Sequence, residues 1–251
     1  MITFGPSRIS AIQLVRRYPF QSGGNDIRFR QFDFEKAFKP WFPSSPSVTP
    51  NIEAAPPDAA RFIFQHGKMT LMVAGTATQL TLMLESSIDY NVIKKLLSKY
   101  SAAMDDGLSE LLGDAIPSYS GIVGHIVRPY DGKDSDIARE SAAIILNKKI
   151  ENILALNMEF GYLNGEVIRS ISINGYKTFT ATGVAGEMIH IDPDFSEPSE
   201  SGMQIKIDVN TKQTARVAGK NKFAALVPHF LEMLAGDAQT ALDGLMPNIE
   251  K

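Results

Sequence analysis

The fold is decided by residues 61–113, which read RFIFQHGKMTLMVAGTATQLTLMLESSIDYNVIKKLLSKYSAAMDDGLSELLG. Three runs rich in apolar residues, Arg61–Gln65, Lys68–Ala74 and Gln79–Glu85, predict three short strands that fold back on one another. His66-Gly67 separates the first two runs, and a glycine in a two-residue connection accepts the positive φ that a hairpin turn requires. The segment therefore predicts an antiparallel meander.

The same segment continues into an amphipathic helix from about Asp89 to Leu112. Its apolar residues recur three and four apart and form one stripe, which consists of Ile93, Leu97, Tyr100, Met104, Leu108 and Leu111. Asp89 or Ser87 can cap the free amides at its start, and Gly113 suits its end. Gly107 weakens the last turns by about 1 kcal/mol relative to alanine, so we expect a close contact or an early end there. The stripe and one sheet face each need an apolar partner and are expected to pack together.

A looser version of this order recurs after Pro117. A predicted strand at Ile9–Tyr18 has a counterpart at Ser118–Tyr130, and residues 14–18 (LVRRY) align with residues 126–130 (IVRPY). Further predicted elements are a helix over Asp134–Lys149, strands at Asn157–Leu163, Glu166–Ile173, Tyr176–Thr182, Glu187–Ile191 and Met203–Val209, and a final helix from Phe223 to Leu245.

Two features of this second half carry specific expectations. Asn164-Gly165 and Asn174-Gly175 each stand between runs of alternating apolar residues, which is a strong hairpin signal, so both are predicted to be turns. Pro228 lies within the final helix, where a proline removes an amide and clashes with the preceding turn, so we expect a kink or break near Val227.

These patterns predict an α+β fold with antiparallel sheets and long helices packed on one face. The recurrence suggests an internal duplication into two similar halves, residues 1–116 and 117–251, the first with a proline-rich irregular segment over 40–60. The alternative is a single α+β domain in which helices follow meanders by coincidence.

Composition limits the function classes. A net charge of −3 argues against a general nucleic-acid binder, which usually has a basic bias. The absence of cysteine excludes disulfides, thiol nucleophiles and cysteine-ligated metals. No apolar run approaches the roughly 18–20 residues that span a bilayer, and the first residues, MITFGPSR, lack the pattern of a signal peptide. We therefore expect a cytoplasmic protein with no membrane contact.

One candidate site is the group Glu187, His190, Asp192 and Asp194. If a strand continues to Asp194, then His190, Asp192 and Asp194 share one face at a period of two residues. A histidine with two carboxylates can hold a divalent metal or perform acid–base chemistry. Pro193 disfavours a continuing strand, so the alternative is a solvated strand end followed by an acidic loop.

A second candidate site is formed by arginines, of which Arg16 and Arg128 occupy equivalent positions if the halves are duplicates. The wider basic group is Arg16, Arg17, Arg28, Arg30, Arg61 and Arg128. Guanidinium groups flanking a seam between the halves can bind a phosphate or carboxylate. The alternative is that these arginines protect exposed strand edges from pairing.

No motif for nucleotide binding, zinc peptidase or serine hydrolase chemistry occurs in the chain, and the sequence predicts no cofactor. The prediction is therefore a non-catalytic module that binds a small anionic ligand or a protein partner in a cleft between two similar halves. The alternatives are an enzyme of unknown reaction, such as a metal-dependent hydrolase centred on His190, Asp192 and Asp194, and a purely structural subunit.

Overall fold

A computed structural model of the chain describes residues 3–19, 27–49, 56–87, 89–112, 117–131, 138–139, 157–178, 198–212, 222–236 and 238. The strands within these ranges are β1 (Thr3–Phe4), β2 (Arg8–Arg17), β3 (Ser47–Val48), β4 (Ala60–His66), β5 (Met69–Ala74), β6 (Ala77–Ser87), β7 (Tyr119–Asp131), β8 (Asn157–Asn164), β9 (Val167–Thr178) and β10 (Glu200–Asn210). The helices are α1 (Gln31–Phe38), α2 (Tyr90–Leu112) and α3 (Phe223–Ala235), and a 3₁₀ turn covers Ile27–Phe29. The fold is α+β.

The strands form one large antiparallel sheet. Its order from edge to edge is β3-β4-β5-β6-β2-β7-β10-β9-β8, and β1 pairs with the far end of β7. The central pair is β2 with β7, in which Ile12 lies opposite Gly124. Strands from before residue 116 and strands from after residue 117 therefore share a single sheet.

The predicted meander and the helix that follows it are confirmed. The β4–β5 connection is Gly67-Lys68, and Gly67 has a φ of 55°, which explains the glycine. The side chain of Asp89 caps α2, because its Oδ1 accepts hydrogen bonds from the amides of Asn91 at 2.9 Å and Val92 at 3.1 Å. Gly107 marks a close contact: a Cβ there would lie 2.8 Å from Cζ of Phe38.

The prediction of a turn at Asn174-Gly175 is wrong. Strand β9 runs through this dipeptide, and Gly175 lies opposite Met203 in an unbroken ladder with β10. The described glycines with positive φ are Gly67 and Gly165. The predicted hairpin turn near Asn164-Gly165 is therefore present, with Gly165-Glu166 as its connecting residues, whereas Gly175 lies within a strand. The long ladder with β10 overrides the local preference of Asn-Gly, because each pair in it adds backbone hydrogen bonds.

The described helices contact the same face of the sheet. Phe230 of α3 lies so close to Gly124 of β7 that a Cβ on the glycine would be 2.7 Å from its Cζ. Phe38 of α1 and Met104 of α2 line a small cavity together with Leu80 of β6. Helix α3 continues through Pro228, so the expected break near Val227 does not occur. Within the described residues, no helix is both long and apolar enough to cross a membrane.

Candidate ligand-binding site

The opposite face of the sheet carries a pocket of about 610 Å³ over the central strands. We call it the central pocket, and its polar lining comes from β2, β6, β7 and β10 and the residues beside them. The side chains used below are Gln13, Arg17, Tyr119, His125, Lys206 and Asp208. Because β2 and β7 are adjacent, the pocket lies across the junction between the two halves of the sequence.

These side chains face the pocket because successive side chains along a strand point to opposite faces of the sheet. Gln13 and Arg17 of β2 alternate with Ile12, Leu14 and Arg16, which are buried on the helix-bearing face. The register then places Gln13 opposite Val123 of β7, and Val123 opposite Asp208 of β10. Side chains far apart in the sequence therefore form one row across three neighbouring strands.

A tyrosine and a carboxylate interact at one end of the central pocket. The Tyr119 hydroxyl donates to Asp208, with its oxygen 3.2 Å from Oδ1 and 3.3 Å from Oδ2, and Asn210 Nδ2 donates to Oδ1 at 3.2 Å. The tyrosine ring lies over Gly121, where a Cβ would be 2.5 Å from the hydroxyl oxygen. Glycine at position 121 is therefore required for this ring position.

Burial changes the acidity of both groups. It raises the pKa of Tyr119, and the neighbouring Asp208 raises that pKa further. Burial also raises the pKa of Asp208, and hydrogen bonds from Asn210 and Tyr119 and the charge of Lys206 oppose this change. The phenol therefore keeps its proton at neutral pH and acts as the donor.

The central pocket has an excess of positive charge. Arg17, Lys206 and Lys212 line it, and none of the three makes an ion pair with another described residue. Burial, followed by the charge of Lys206, lowers the pKa of His125, so this imidazole is neutral at pH 7. With Asp208 counted as ionised, the formal charge of the lining is about +2, whereas the chain carries −3.

Arg16, one of the two arginines predicted to bind a ligand, lies on the helix-bearing face. It is 7% exposed, and its Nη2 donates to Asp105 of α2 at 2.6 Å. Asp105 also accepts hydrogen bonds from the amides of Phe223 and Ala224, at 3.0 Å each, at the start of α3. This buried ion pair thus joins β2, α2 and α3.

Arg128 lies on β7 far from Arg16. Its Nε donates to the carbonyl oxygen of Gly5 at 3.2 Å. Arg16 pairs with Ser120, and Arg128 is eight residues further along β7, so the two arginines are about 26 Å apart. The structure does not bring them together, and a ligand at either of them stays a prediction.

The other predicted site, at His190, Asp192 and Asp194, lies outside the described residues, as does Glu187. Among the residues that are described, no group of three or more histidine and acidic side chains is arranged to hold a metal ion. The metal-site hypothesis therefore stays a prediction.

Sequence reasoning did not select Tyr119, Lys206 or Asp208, and it chose Arg16 over Arg17. One usable signal was present: Arg16 has the same parity as Ile12 and Leu14, so it shares their buried face and Arg17 faces the opposite side. The register that brings β10 beside β7 has no comparable signal in the sequence.

A second polar cluster joins β9 to α3 on the helix-bearing face. Arg169 is 3% exposed, and its Nη2 lies 2.8 Å from Nδ1 of His229 and 2.5 Å from Oε2 of Glu232. Burial lowers the pKa of His229, as does the positive charge of Arg169, and Glu232 opposes them. Nδ1 of His229 therefore accepts a hydrogen bond from Arg169 in the neutral imidazole.

We expect stability to fall as the pH drops below about 6.5, the ordinary pKa of histidine. Because the pKa of His229 is lower in the folded state, the unfolded chain binds its proton first, and acid favours unfolding until the pH is below the folded value. Urea denaturation at several pH values between 7.5 and 5.5 measures this slope. His229→Gln is expected to reduce it, whereas an unchanged slope would contradict the role of His229.

A search for matching protein families, curated proteins and solved structures finds no match to this chain.

Proposed function

We propose that this chain is a non-catalytic binding protein that holds a small anionic ligand in the central pocket. The observation that carries the proposal is the group of three cations, Arg17, Lys206 and Lys212, around one carboxylate, Asp208. In an acidic protein, a cationic pocket attracts anions against the overall charge. Guanidinium and ammonium groups form their strongest hydrogen bonds with phosphate and carboxylate oxygens.

The position of the pocket supports the predicted cleft between two similar halves. Reading outward from the β2–β7 pair, the order is β6, β5, β4 on one side and β10, β9, β8 on the other. The sequence alignment of residues 14–18 with 126–130 corresponds to a shift of 112 residues, which takes Ile12 to Gly124. Ile12 is also paired with Gly124 across the sheet. A two-fold axis between duplicated halves requires this, because it exchanges the two residues of the pair through which it passes.

Two other functions stay open as predictions from the sequence. A metal-dependent hydrolase would need His190, Asp192 and Asp194, and a protein-interaction module would need a surface for its partner. The geometry of the described residues favours neither of them over anion binding. Tyr119 and Asp208 form a hydrogen-bonded pair in the central pocket, but the pKa of Tyr119 is raised by burial and by Asp208, which keeps its hydroxyl protonated, and we assign the pocket no reaction.

Isothermal titration of the purified full chain with inorganic phosphate and with citrate tests this function. We expect saturable binding of at least one of them, and a weaker affinity at higher salt, because the attraction is electrostatic. Arg17→Met combined with Lys212→Met is expected to weaken binding at least about tenfold, since each charge-assisted hydrogen bond contributes about 1.5–3 kcal/mol.

A matched control removes the same amount of charge elsewhere. Lys94 and Lys95 are exposed on α2, which packs on the other side of the sheet, and Lys94→Met with Lys95→Met should leave the affinity within about twofold. Equal losses in the two double variants would show that only net charge matters, and would overturn the assignment of the central pocket.

A further inference from the structure

We infer, on the basis of the proposed function, that the ligand of the central pocket carries two separated anionic groups joined by an uncharged segment with hydroxyl groups. A sugar bisphosphate is the chemical class that fits. The inference rests on how the three cations and the carboxylate are distributed along the strands, which one small anion cannot satisfy.

The cations form two separate groups. Arg17 pairs with Tyr119 across the sheet, and Lys212 lies just beyond the end of β10 on the other side of β7, so these two cations flank Tyr119. Lys206 lies opposite His125, which is six residues from Tyr119 along β7, so about 20 Å of strand separates the two positions. Side chains on a strand stand roughly perpendicular to the sheet, so the cationic groups stay about as far apart as their positions along the strands, and one phosphate does not occupy both.

The carboxylate lies between the two groups. Asp208 is two residues after Lys206 on β10, and Lys212 follows four residues later, just beyond the end of the strand. Its negative charge disfavours a polyanion whose charge is continuous, because like charges in a partly buried site repel. It favours instead a neutral middle segment that donates hydrogen bonds.

Asp208 has the capacity for such a donor. Its Oδ1 accepts from both Asn210 and Tyr119, whereas Oδ2 receives only the shared hydrogen bond from Tyr119 among the residues that the structure describes. A carboxylate offers about four acceptor positions, so Oδ2 can accept a ligand hydroxyl. Gln13 and Gln79, which also line the pocket, add amide groups that pair with hydroxyls.

The test is isothermal titration of the full chain with three probes: a hexose 6-phosphate, a hexose 1,6-bisphosphate and tripolyphosphate. We expect the bisphosphate to bind at least about tenfold more tightly than the monophosphate, because it engages both cationic groups. Tripolyphosphate, despite its greater charge, is expected to bind more weakly than the bisphosphate and to gain affinity in Asp208→Asn.

Variants assign the ends of the ligand. Lys206→Met should reduce the affinity for the bisphosphate to that for the monophosphate, while Lys95→Met on α2 should change neither affinity. Equal affinities for the monophosphate and the bisphosphate, or tightest binding of tripolyphosphate, would overturn this inference and leave the proposed function standing. Failure of all three probes and of inorganic phosphate to bind would overturn both.

Discussion

Replacing Asp105 with alanine will lower the free energy of unfolding by about 3–5 kcal/mol, the cost of breaking a buried ion pair by removing one partner. The carboxylate is 6% exposed and accepts hydrogen bonds from Arg16, Phe223 and Ala224. Without it, the guanidinium of Arg16 stays buried on the helix-bearing face without this counter-charge. The first amides of α3 lose their acceptor at the same time, and such a cap is usually worth about 1 kcal/mol.

The adjacent residue provides a matched control. Asp106 lies next to Asp105 on α2 and is exposed, so Asp106→Ala makes the same change in charge and helix propensity without removing the buried pair. Urea denaturation of both variants is expected to show a loss within about 0.5 kcal/mol for Asp106→Ala. Asp105→Asn, which keeps an acceptor oxygen, should fall between the two. Equal losses for Asp105→Ala and Asp106→Ala would contradict the structural role of the pair.

Replacing Phe230 with alanine is expected to cost a similar amount, about 3–5 kcal/mol, because the ring is fully buried and its removal leaves a cavity. The ring rests on Gly124, with the position of a Cβ on that glycine 2.7 Å from Cζ. Gly124→Ala alone should therefore cost about 1–3 kcal/mol by overpacking. In the Phe230→Ala background the added methyl group enters the space left by the ring.

A double-mutant cycle measures this coupling. We expect the variant with both substitutions to be more stable than the sum of the single losses predicts, by more than about 0.5 kcal/mol. Phe64 on β4 is the control partner: it is also buried, and it lies four strands from Gly124, about 19 Å away. Phe64→Ala should add to Gly124→Ala without coupling, and additivity in both pairs would refute the proposed contact.

The elements that the sequence predicted best are those held by local signals. The meander over β4, β5 and β6 follows from alternating apolar residues and a glycine with positive φ. Helix α2 follows from its apolar stripe and from Asp89, whose side chain caps it as expected. In each case, residues within a few positions of one another contain the whole physical reason for the structure.

The features that the sequence did not predict depend on distant partners. Asn174-Gly175 carries a turn signal, but β10 supplies a continuous partner for β9 and keeps it extended. Asp208 and Tyr119 approach each other only because β7 and β10 pair in a register that neither strand specifies alone. Arg16 and Arg17 are adjacent in β2, so their side chains face opposite sides of the sheet. One faces the helices and the other faces the central pocket.

The central pairing of β2 with β7 has a consequence for how the chain is made. Arg17 and Tyr119 are neighbours in the sheet, yet roughly 100 residues separate them in the order of synthesis. At about 5–20 residues per second, β2 leaves the ribosome about 5–20 s before its partner exists. During that interval one side of β2 has unpaired backbone groups that another nascent chain can bind. A strand that lies in the middle of the folded sheet is therefore an exposed edge during synthesis.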